Sequence, residues 1–366
     1  MTPALWLLLL FAANVALFCL PLLPAFAEMR KRGNAPLFIP ADDEAGIGYF
    51  AERFRQRLAA DWNSATLFEP GGPGDAGYVA TLGAAHAALP ASIAIQYRMA
   101  EGELRGAARL DAAEQPTVVG GTLRLARGTH LLGEAYAHAR LDAPGGSVLR
   151  AVLCDGELVL GPGSGILRWA HARRIATGDG SRAMGRLSAT ESLSLGRGCQ
   201  FERLSAPELR FGGGAAAQDP TPASTRGWVA DRRARVVRES LDRLLCNGDV
   251  SIPPGSLVDG QLIVRGRLTL GAGCHVRGGI KVHGPVALGD DVVVSGAVFA
   301  SGDATFGMRC SVDGPVSSAG VVRLGAGCRI GRMEHPTSLV APVVSVAPGC
   351  TCHGSIWART NGRVDA

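Results

Sequence analysis

The residues best suited to chemistry lie near the carboxyl end of the chain, where Cys350, Cys352 and His353 fall within the segment CTCH. Thiolate and imidazole groups are common zinc ligands, but zinc sites usually combine a Cys pair two to four residues apart with a second pair elsewhere. Alternate residues of a strand point to one face, so this spacing predicts both sulfurs in a core. No metal site is predicted here.

The chain lacks the other common catalytic and nucleotide-binding motifs. It contains no G-x-x-x-x-G-K-[ST] phosphate loop, no G-x-S-x-G nucleophile elbow and no H-E-x-x-H helix. Glycines that come close to G-x-G-x-x-G precede no predicted helix, so they do not indicate a dinucleotide site. No cofactor is therefore predicted, and the regular features of the chain point to structure.

An apolar residue recurs at every sixth position of the C-terminal part. From Ile252 to Leu324, thirteen successive hexads begin in phase without an insertion, and nearly all of their fifth positions are also small or apolar. An internal repeat this regular is the strongest signal in the chain. The first-position residues predicted to form the structural core are Leu270, Val276, Val282, Leu288, Val294, Phe306, Val312 and Leu324.

A second period of eighteen residues lies over the first. The segments LGAGC at Leu270, LGDDV at Leu288, FGMRC at Phe306 and LGAGC at Leu324 share a glycine in second place. A chain that turns a corner every six residues and closes a triangle every eighteen stacks its coils at the strand spacing of about 4.8 Å. The predicted fold class is an all-β solenoid, a triangular β-helix with about 18 residues per coil.

The composition agrees with a repeat protein. The 366-residue chain is 47% apolar and contains 50 glycines but only 20 aromatic residues, which is typical of many turns around thin cores. Its net charge of +5 comes from 37 Lys and Arg scattered among 32 Asp and Glu. Because no basic block with interleaved aromatic residues occurs, nucleic acid is not predicted as a partner.

The regular repeat ends in an irregular segment. Its phase breaks at GRMEHPTS after Ile330 and resumes with Val340 and Val346 for one further coil. The last coil of a solenoid exposes apolar side chains and an unpaired strand edge. Trp357 is therefore predicted to cover the end of the core, and Val346 and Trp357 are predicted to mark an end through which molecules assemble.

Several segments precede the regular solenoid. A weaker six-residue spacing over 119–211 predicts a degenerate β-helix, and the Gly-, Ala- and Pro-rich segment 212–227 is typical of a linker. Residues 228–245 are predicted to form a short helix. The regular β-helix is predicted over 246–357, with 358–366 as a tail.

The N-terminal segment is strongly apolar. Residues 4–27 carry no charge and are long enough to cross a bilayer, and Arg30, Lys31 and Arg32 follow at once. The positive-inside rule then favours a single transmembrane helix at the inner membrane, with the C-terminal body in the cytoplasm. The alternative is a cleaved signal peptide, since AFA at 25–27 has the small residues of a cleavage site.

Residues 28–118 are predicted to form a juxtamembrane helix and a connecting region. Ile47, Phe50, Phe54 and Leu58 have helical spacing, which predicts a helix from about 44 to 60. Its arginines would suit an anionic membrane surface, whereas its apolar side would suit packing on the body of the protein. The sequence leaves both positions open.

The run GGIKVHGPVALGDDVVVSGAVFASGDATFGMRCSVDGPV resembles the bactofilins, bacterial cytoskeletal proteins whose triangular β-helix polymerises end to end without a nucleotide. The resemblance covers about residues 246–357. It implies a right-handed β-helix, a non-enzymatic scaffold, self-association and a membrane-associated location, with cell-envelope machinery among the partners. The apolar segment at 4–27 and the looser solenoid at 119–211 depart from the family pattern, and a covered end would block polymerisation.

Two other functional classes share part of this pattern. Hexapeptide-repeat acyltransferases and γ-type carbonic anhydrases contain similar hexads, and they place a catalytic or zinc-binding histidine on an outward face beside a projecting loop. The outward candidates here are His275, His283, His335 and His353, but the strict hexads leave no such loop. An exported glycan-binding solenoid is the other alternative. The favoured interpretation is a non-enzymatic, membrane-anchored scaffold.

Overall fold

The computed structural model describes residues 10, 48–61, 109–110, 117–119, 122–125, 127–213, 226–227, 235–240 and 243–366. Over these residues the protein is a β-solenoid of about 12 coils, in which 28 strands belong to one hydrogen-bonded sheet. The predicted β-solenoid is thus confirmed. None of the described helices is long and apolar enough to cross a bilayer, and the predicted anchor at 4–27 lies, apart from Leu10, outside the described residues.

Helix α1, Tyr49–Asp61, corresponds to the predicted helix at 44–60, of which residues 44–47 lie outside the described residues. Its Ala51 and Phe54 side chains are buried against strands of the solenoid. Of the two positions that the sequence leaves open, the structure therefore has the helix packed on the body of the protein.

The first solenoid occupies the region predicted as a degenerate β-helix and starts slightly earlier. Its nine strands are β1 Arg109–Leu110, β2 Thr117–Val119, β3 Thr122–Arg124, β4 His130–Ala137, β5 Arg140–Ala143, β6 Val148–Leu160, β7 Gly165–Thr177, β8 Arg182–Leu195 and β9 Gln200–Phe211.

The looser period of this solenoid has a physical cause. Strands β6 to β9 are long and bend at register shifts, so that Val148 pairs with Gly165 but Ala151 pairs with Trp169, a step of seventeen residues in one place and eighteen in the other. Only one tight turn per coil is needed, and it uses a glycine at positive φ such as Gly163 (φ 67°). At the other corners the strand bends at a β-bulge, and the change in register makes the six-residue spacing irregular in the sequence.

The second solenoid is built from much shorter strands. They are β10 Arg226–Gly227, β11 Arg235–Ser240, β12 Arg243–Asn247, β13 Val250–Ile252, β14 Ser256–Val258, β15 Gln261–Val264, β16 Leu268–Leu270, β17 His275–Val276, β18 Ile280–Val282, β19 Val286–Leu288, β20 Val293–Val294, β21 Val298–Ala300, β22 Ala304–Phe306, β23 Ser311–Val312, β24 Val316–Ser318, β25 Val321–Leu324, β26 Arg329–Ile330, β27 Thr337–Val346 and β28 Thr351–Val364.

The register of the second solenoid is strict from β13 to β26. Each strand from β13 to β23 pairs in parallel with the strand eighteen residues later, so that Val276, Val294 and Val312 stand one above another in the core. Because the strands have only two to four residues, there is no room for the bulges that loosen the first solenoid. Three strands make one coil with three faces.

Two predictions for the connecting segments need correction. The segment 228–245 does not form a helix where it is described; β11 and β12 form an antiparallel hairpin, and β12 also pairs in parallel with β15. Apolar pairs such as Val236–Val237 suit either structure, and backbone pairing with the solenoid edge decides for strands. Within the predicted linker 212–227, Arg226 and Gly227 form β10, which pairs with β14, and residues 214–225 lie outside the described residues.

The two solenoids join at their C-terminal coils. Strand β28, from the end of the second solenoid, pairs antiparallel with β9, the last strand of the first, and in parallel with β27. The predicted tail at 358–366 is therefore mostly strand, because Ala358–Val364 continues β28. The buried apolar residues of both solenoids form one continuous core.

One face runs without interruption along both solenoids, and we name it the shared face. Its outward positions follow one another in register from coil to coil. From the second solenoid to the first they are Ile263, Lys281, Phe299, Ser317, Val340, Trp357, Arg203, Arg186 and Trp169.

Candidate assembly site

The residues predicted to form the structural core all lie inside the second solenoid. Each has at most 4% of its surface exposed; the eight are Leu270, Val276, Val282, Leu288, Val294, Phe306, Val312 and Leu324. Their side chains can contribute stability but cannot contact a ligand or partner in the folded state.

A ladder of small hydrogen-bonding side chains follows the turns, and we name it the turn ladder. The thiols of Cys310, Cys328 and Cys350 donate to the carbonyl oxygens of Gly289, Gly307 and Gly325 in the preceding coil, with S···O distances of 3.0, 3.1 and 3.0 Å. In the first solenoid the hydroxyl of Ser181 makes the equivalent bond to Gly161. These side chains donate hydrogen bonds to carbonyl oxygens in the turns, which the hydrogen bonds between strands do not satisfy.

Two of the buried thiols are poorly suited to nucleophilic chemistry or metal binding. Burial raises the pKa of Cys154 and of Cys352 to about 12, so both remain protonated at neutral pH. Cys350 and Cys352 of the CTCH segment both point into the core, at 2% and 1% exposure. Across the described part of the chain, no group of three or more His, Cys, Asp or Glu side chains is placed to hold a metal ion.

The four candidate histidines do not converge. His353, predicted to point outward, is instead 8% exposed, with its Nδ1 2.9 Å from the carbonyl oxygen of Pro207, because the first solenoid covers it. The Nε2 of His275 lies 3.2 Å from the Ser295 hydroxyl, and burial together with the Arg277 charge lowers the pKa of His275. His283 and His335 are exposed, on different parts of the second solenoid.

The predicted assembly end at Val346 and Trp357 also needs correction. Val346 is fully buried and pairs with Leu324 on one side and Val364 on the other. Trp357 pairs with Arg203 of β9, whose guanidinium lies 4.4 Å from the centre of the indole ring. Both residues therefore belong to an internal junction, since the first solenoid already occupies this end of the second.

Large aromatic side chains fill the core at this junction. Phe201 and Phe211, in β9, are fully buried with ring centroids 6.0 Å apart, and Gly362 of β28 packs directly on the Phe201 ring. A Cβ at position 362 would overlap that ring. Sequence reasoning missed this contact, although two phenylalanines ten residues apart in an otherwise aliphatic repeat are a signal that the core widens there.

The outer end of the second solenoid is only partly covered. Strand β10 pairs with β14 on one face and β11 pairs with β12 on another, but no described strand pairs with the outer edge of β13. Val250 donates to Arg267, and Ile252 accepts from Gly271, both in the next coil. Because successive residues of a strand point to opposite sides, the backbone N–H and C=O of Ser251, between them, point away from the solenoid.

A polar cluster fixes α1 on the first solenoid. The Asp155 carboxylate accepts hydrogen bonds from the Tyr136 hydroxyl at 2.6 Å and from the Arg55 guanidinium at 2.7 Å. Burial opposes the charged form of Asp155, but these two donors outweigh it and lower the pKa of the carboxyl. The Phe54 ring packs edge-on against Trp169 at 5.8 Å. The arrangement anchors the helix on the first solenoid.

Comparison of the chain with protein-family models, with curated proteins and with solved structures finds no match. The geometry of the two solenoids and their junction is therefore the basis for a functional proposal.

Proposed function

We propose that this protein is a non-enzymatic scaffold of the bactofilin type, anchored to a membrane by residues 4–27 and able to self-associate through an outer coil. The junction of β9 with β28 carries the proposal. It is an example, within one chain, of one solenoid end stacking on another through backbone hydrogen bonds and a continuous core. End-to-end polymerisation requires this same interaction between two chains.

The junction also limits which ends we expect to take part in assembly. It uses the C-terminal coils of both solenoids, so contacts between molecules would involve the N-terminal coils. The outward backbone groups of Ser251 on β13 are a place where a second chain can add a strand, because an exposed strand edge with unsatisfied N–H and C=O groups is a template for pairing. The described edge is short, which favours limited oligomers over long filaments.

Substitution of Ser251 by proline tests the proposal. Proline is tolerated on an edge strand when its missing N–H would face solvent, so the fold should survive while strand addition is blocked. We expect the unmodified full chain to form oligomers without a nucleotide, and Ser251→Pro to shift them to the monomer in multi-angle light scattering. Thr269→Ser, at the equivalent outward position one coil further in, is the matched control and should leave assembly unchanged.

Two results would contradict this scaffold. One is a monodisperse monomer for the unmodified chain at high concentration. The other is an unchanged oligomer in Ser251→Pro, which would place assembly elsewhere.

The membrane anchor is tested separately by reporter fusions at both termini and by the intact mass of the membrane-extracted chain. A cytoplasmic C-terminus with residues 4–27 retained is expected, whereas a mature chain that begins at Glu28 would favour the exported solenoid instead.

A further inference from the structure

The shared face contains a groove in the second solenoid, with a volume of about 340 Å³. It runs from the hairpin strand β12 across β15 and β18 to β21. The exposed or half-buried side chains that line it are Arg243, Gln261, Ile263, Lys281 and Phe299, and only the backbone of the core residues Leu262 and Ile280 reaches it.

The close stacking of the coils excludes a side chain from part of the groove floor. A Cβ at Gly296 would lie 2.7 Å from the backbone nitrogen of Gly279 in the coil below, so close stacking requires glycine at 296. Gly279, Gly296 and Ala297 therefore line the groove with little side-chain bulk, alongside the row Ile263, Lys281 and Phe299. Phe299 is 44% exposed and forms one wall, which leaves a large apolar surface in contact with water.

The rim of the groove is positively charged. Arg243 and Lys281 are exposed, and neither forms an ion pair with any residue in the described part of the chain; Arg243 only approaches Gln261 at 3.5 Å. The adjoining Arg277 is paired with Asp259 at 3.3 Å, so these two charges offset each other. Lys281 thus lies next to the exposed Phe299 ring in the neighbouring strand, and Arg243 lies three strands away at the other end of the groove.

The other half of the same face shows how a segment docks there. In the first solenoid α1 places the Phe54 ring on Trp169, and the neighbouring Arg55 pairs with Asp155 at 2.7 Å. The docked segment supplies an apolar side chain beside a cation, and the face supplies an aromatic ring beside a carboxylate. In the groove the face supplies the Phe299 ring next to Lys281, with Arg243 at the far end, so the complementary segment carries an apolar side chain and carboxylates spaced along it.

We propose that this groove docks an acidic peptide segment of a partner protein, with an apolar side chain against Phe299 and carboxylates on Arg243 and Lys281. The inference goes beyond the scaffold function: it assigns the rod a lateral receptor surface. It does not require self-association, because the groove lies on a side face of the solenoid; it begins at Arg243 in the outer coil and extends away from the strand edge at Ser251.

Fluorescence anisotropy with the full chain in detergent micelles tests this docking. The probe is a fluorescein-labelled decapeptide of alternating Leu and Asp, and the comparison peptides replace every Asp by Lys or every Leu by Ser. We expect only the Leu and Asp peptide to bind well. Phe299→Ser, and separately the double variant Arg243→Glu with Lys281→Glu, should each weaken its binding by about tenfold or more, the size of effect typical of central interface residues.

Arg127→Glu is the control for charge reversal: it reverses one positive charge, half the change of the double variant, at an exposed turn of the first solenoid, and it should leave the affinity unchanged. Equal binding of the Lys peptide, unchanged affinity in both groove variants, or equal weakening by Arg127→Glu would overturn the proposal. Binding of phosphatidylserine vesicles through Arg243 and Lys281, with no peptide binding, would also overturn it. Ser251→Pro should bind the peptide normally, so failure of the assembly test and failure of docking are distinguishable.

Discussion

Replacement of Val294 by aspartate tests the core of the second solenoid most directly. Val294 has no exposed surface, and Val276 and Val312 lie directly beside it in the neighbouring coils. A carboxylate at this position would enter a core one side chain wide, where its neighbours offer no hydrogen-bond donor. We expect the solenoid to lose most of its stability.

The magnitude follows from two terms. Loss of a fully buried valine removes about 1.5–3 kcal/mol of apolar burial. The new carboxyl escapes the cost of a buried charge only by staying protonated, and holding a group of pKa about 3.9 neutral at pH 7 costs about 4 kcal/mol. The total of about 6 kcal/mol is comparable to the whole free energy of unfolding of a typical domain, about 5–15 kcal/mol.

The loss of stability in Val294→Asp should depend on pH. Burial raises the pKa of the introduced carboxyl in the folded state, so its penalty is absent below the unfolded pKa of about 4 and grows by about 1.4 kcal/mol per pH unit above it. Urea unfolding followed by circular dichroism, at pH values between 4 and 8, measures this. The stability difference from the unmodified chain should widen as the pH rises.

Ser295→Asp provides the matched control. The residue is adjacent in sequence, exposed, and close enough to His275 for a favourable contact, so its substitution should change the urea midpoint little. Equal destabilisation by the two substitutions would refute the inward and outward assignment. A Val294→Asp deficit that does not change with pH would refute the buried-charge argument.

Two further predictions concern the packing of α1 and the junction. Asp155→Asn should speed amide hydrogen exchange in residues 49–56 by about tenfold, because it removes a charged acceptor of two hydrogen bonds. In the unmodified chain the pKa of Asp155 is lowered, so the stability that its carboxylate adds is complete above about pH 4. That stability is lost as the pH falls through the folded-state pKa. Unchanged exchange would show that Phe54 alone holds the helix. Gly362→Ala should lower the free energy of unfolding by about 1–3 kcal/mol, because the added Cβ would overlap the Phe201 ring. Gly165→Ala should be tolerated, because the nearest atom to a Cβ at position 165 is 3.8 Å away. Equal melting temperatures of the two variants would contradict the junction packing.

The fold of the second solenoid could be predicted because every coil contains the same eighteen-residue sequence pattern. Each coil repeats the same turn and the same inward positions, so Leu270, Leu288, Phe306 and Leu324 carry the information four times over. The register between β16, β19, β22 and β25 follows directly from that spacing. Local repetition of this kind needs no knowledge of distant contacts.

The junction could not be predicted in this way. The pairing of β9 with β28 joins segments far apart in the chain, runs antiparallel and occurs only once, so it leaves no periodic trace. It buries His353, which the hexad pattern predicts to be exposed. It also pairs Trp357 with Arg203, so that Trp357 lies at an internal junction and not at an assembly end. The hairpin of β11 and β12 escaped prediction for a related reason: an irregular apolar spacing fits helix and strand alike until the neighbouring edge is known.

The junction also has a consequence for synthesis of the protein on the ribosome. Strand Gln200–Phe211 is complete about 140 residues before Thr351–Val364, the strand that covers it, begins to appear. At the usual elongation rates of about 5–20 residues per second, the first solenoid waits roughly 7–28 s with Phe201 and Phe211 at an unprotected edge. We expect a nascent chain in that interval to be bound by chaperones and to be open to mispairing with the same strand of a neighbouring nascent chain. Slow codons between the two solenoids would lengthen that exposure, so the yield of soluble protein should depend on the speed of translation as well as on the sequence.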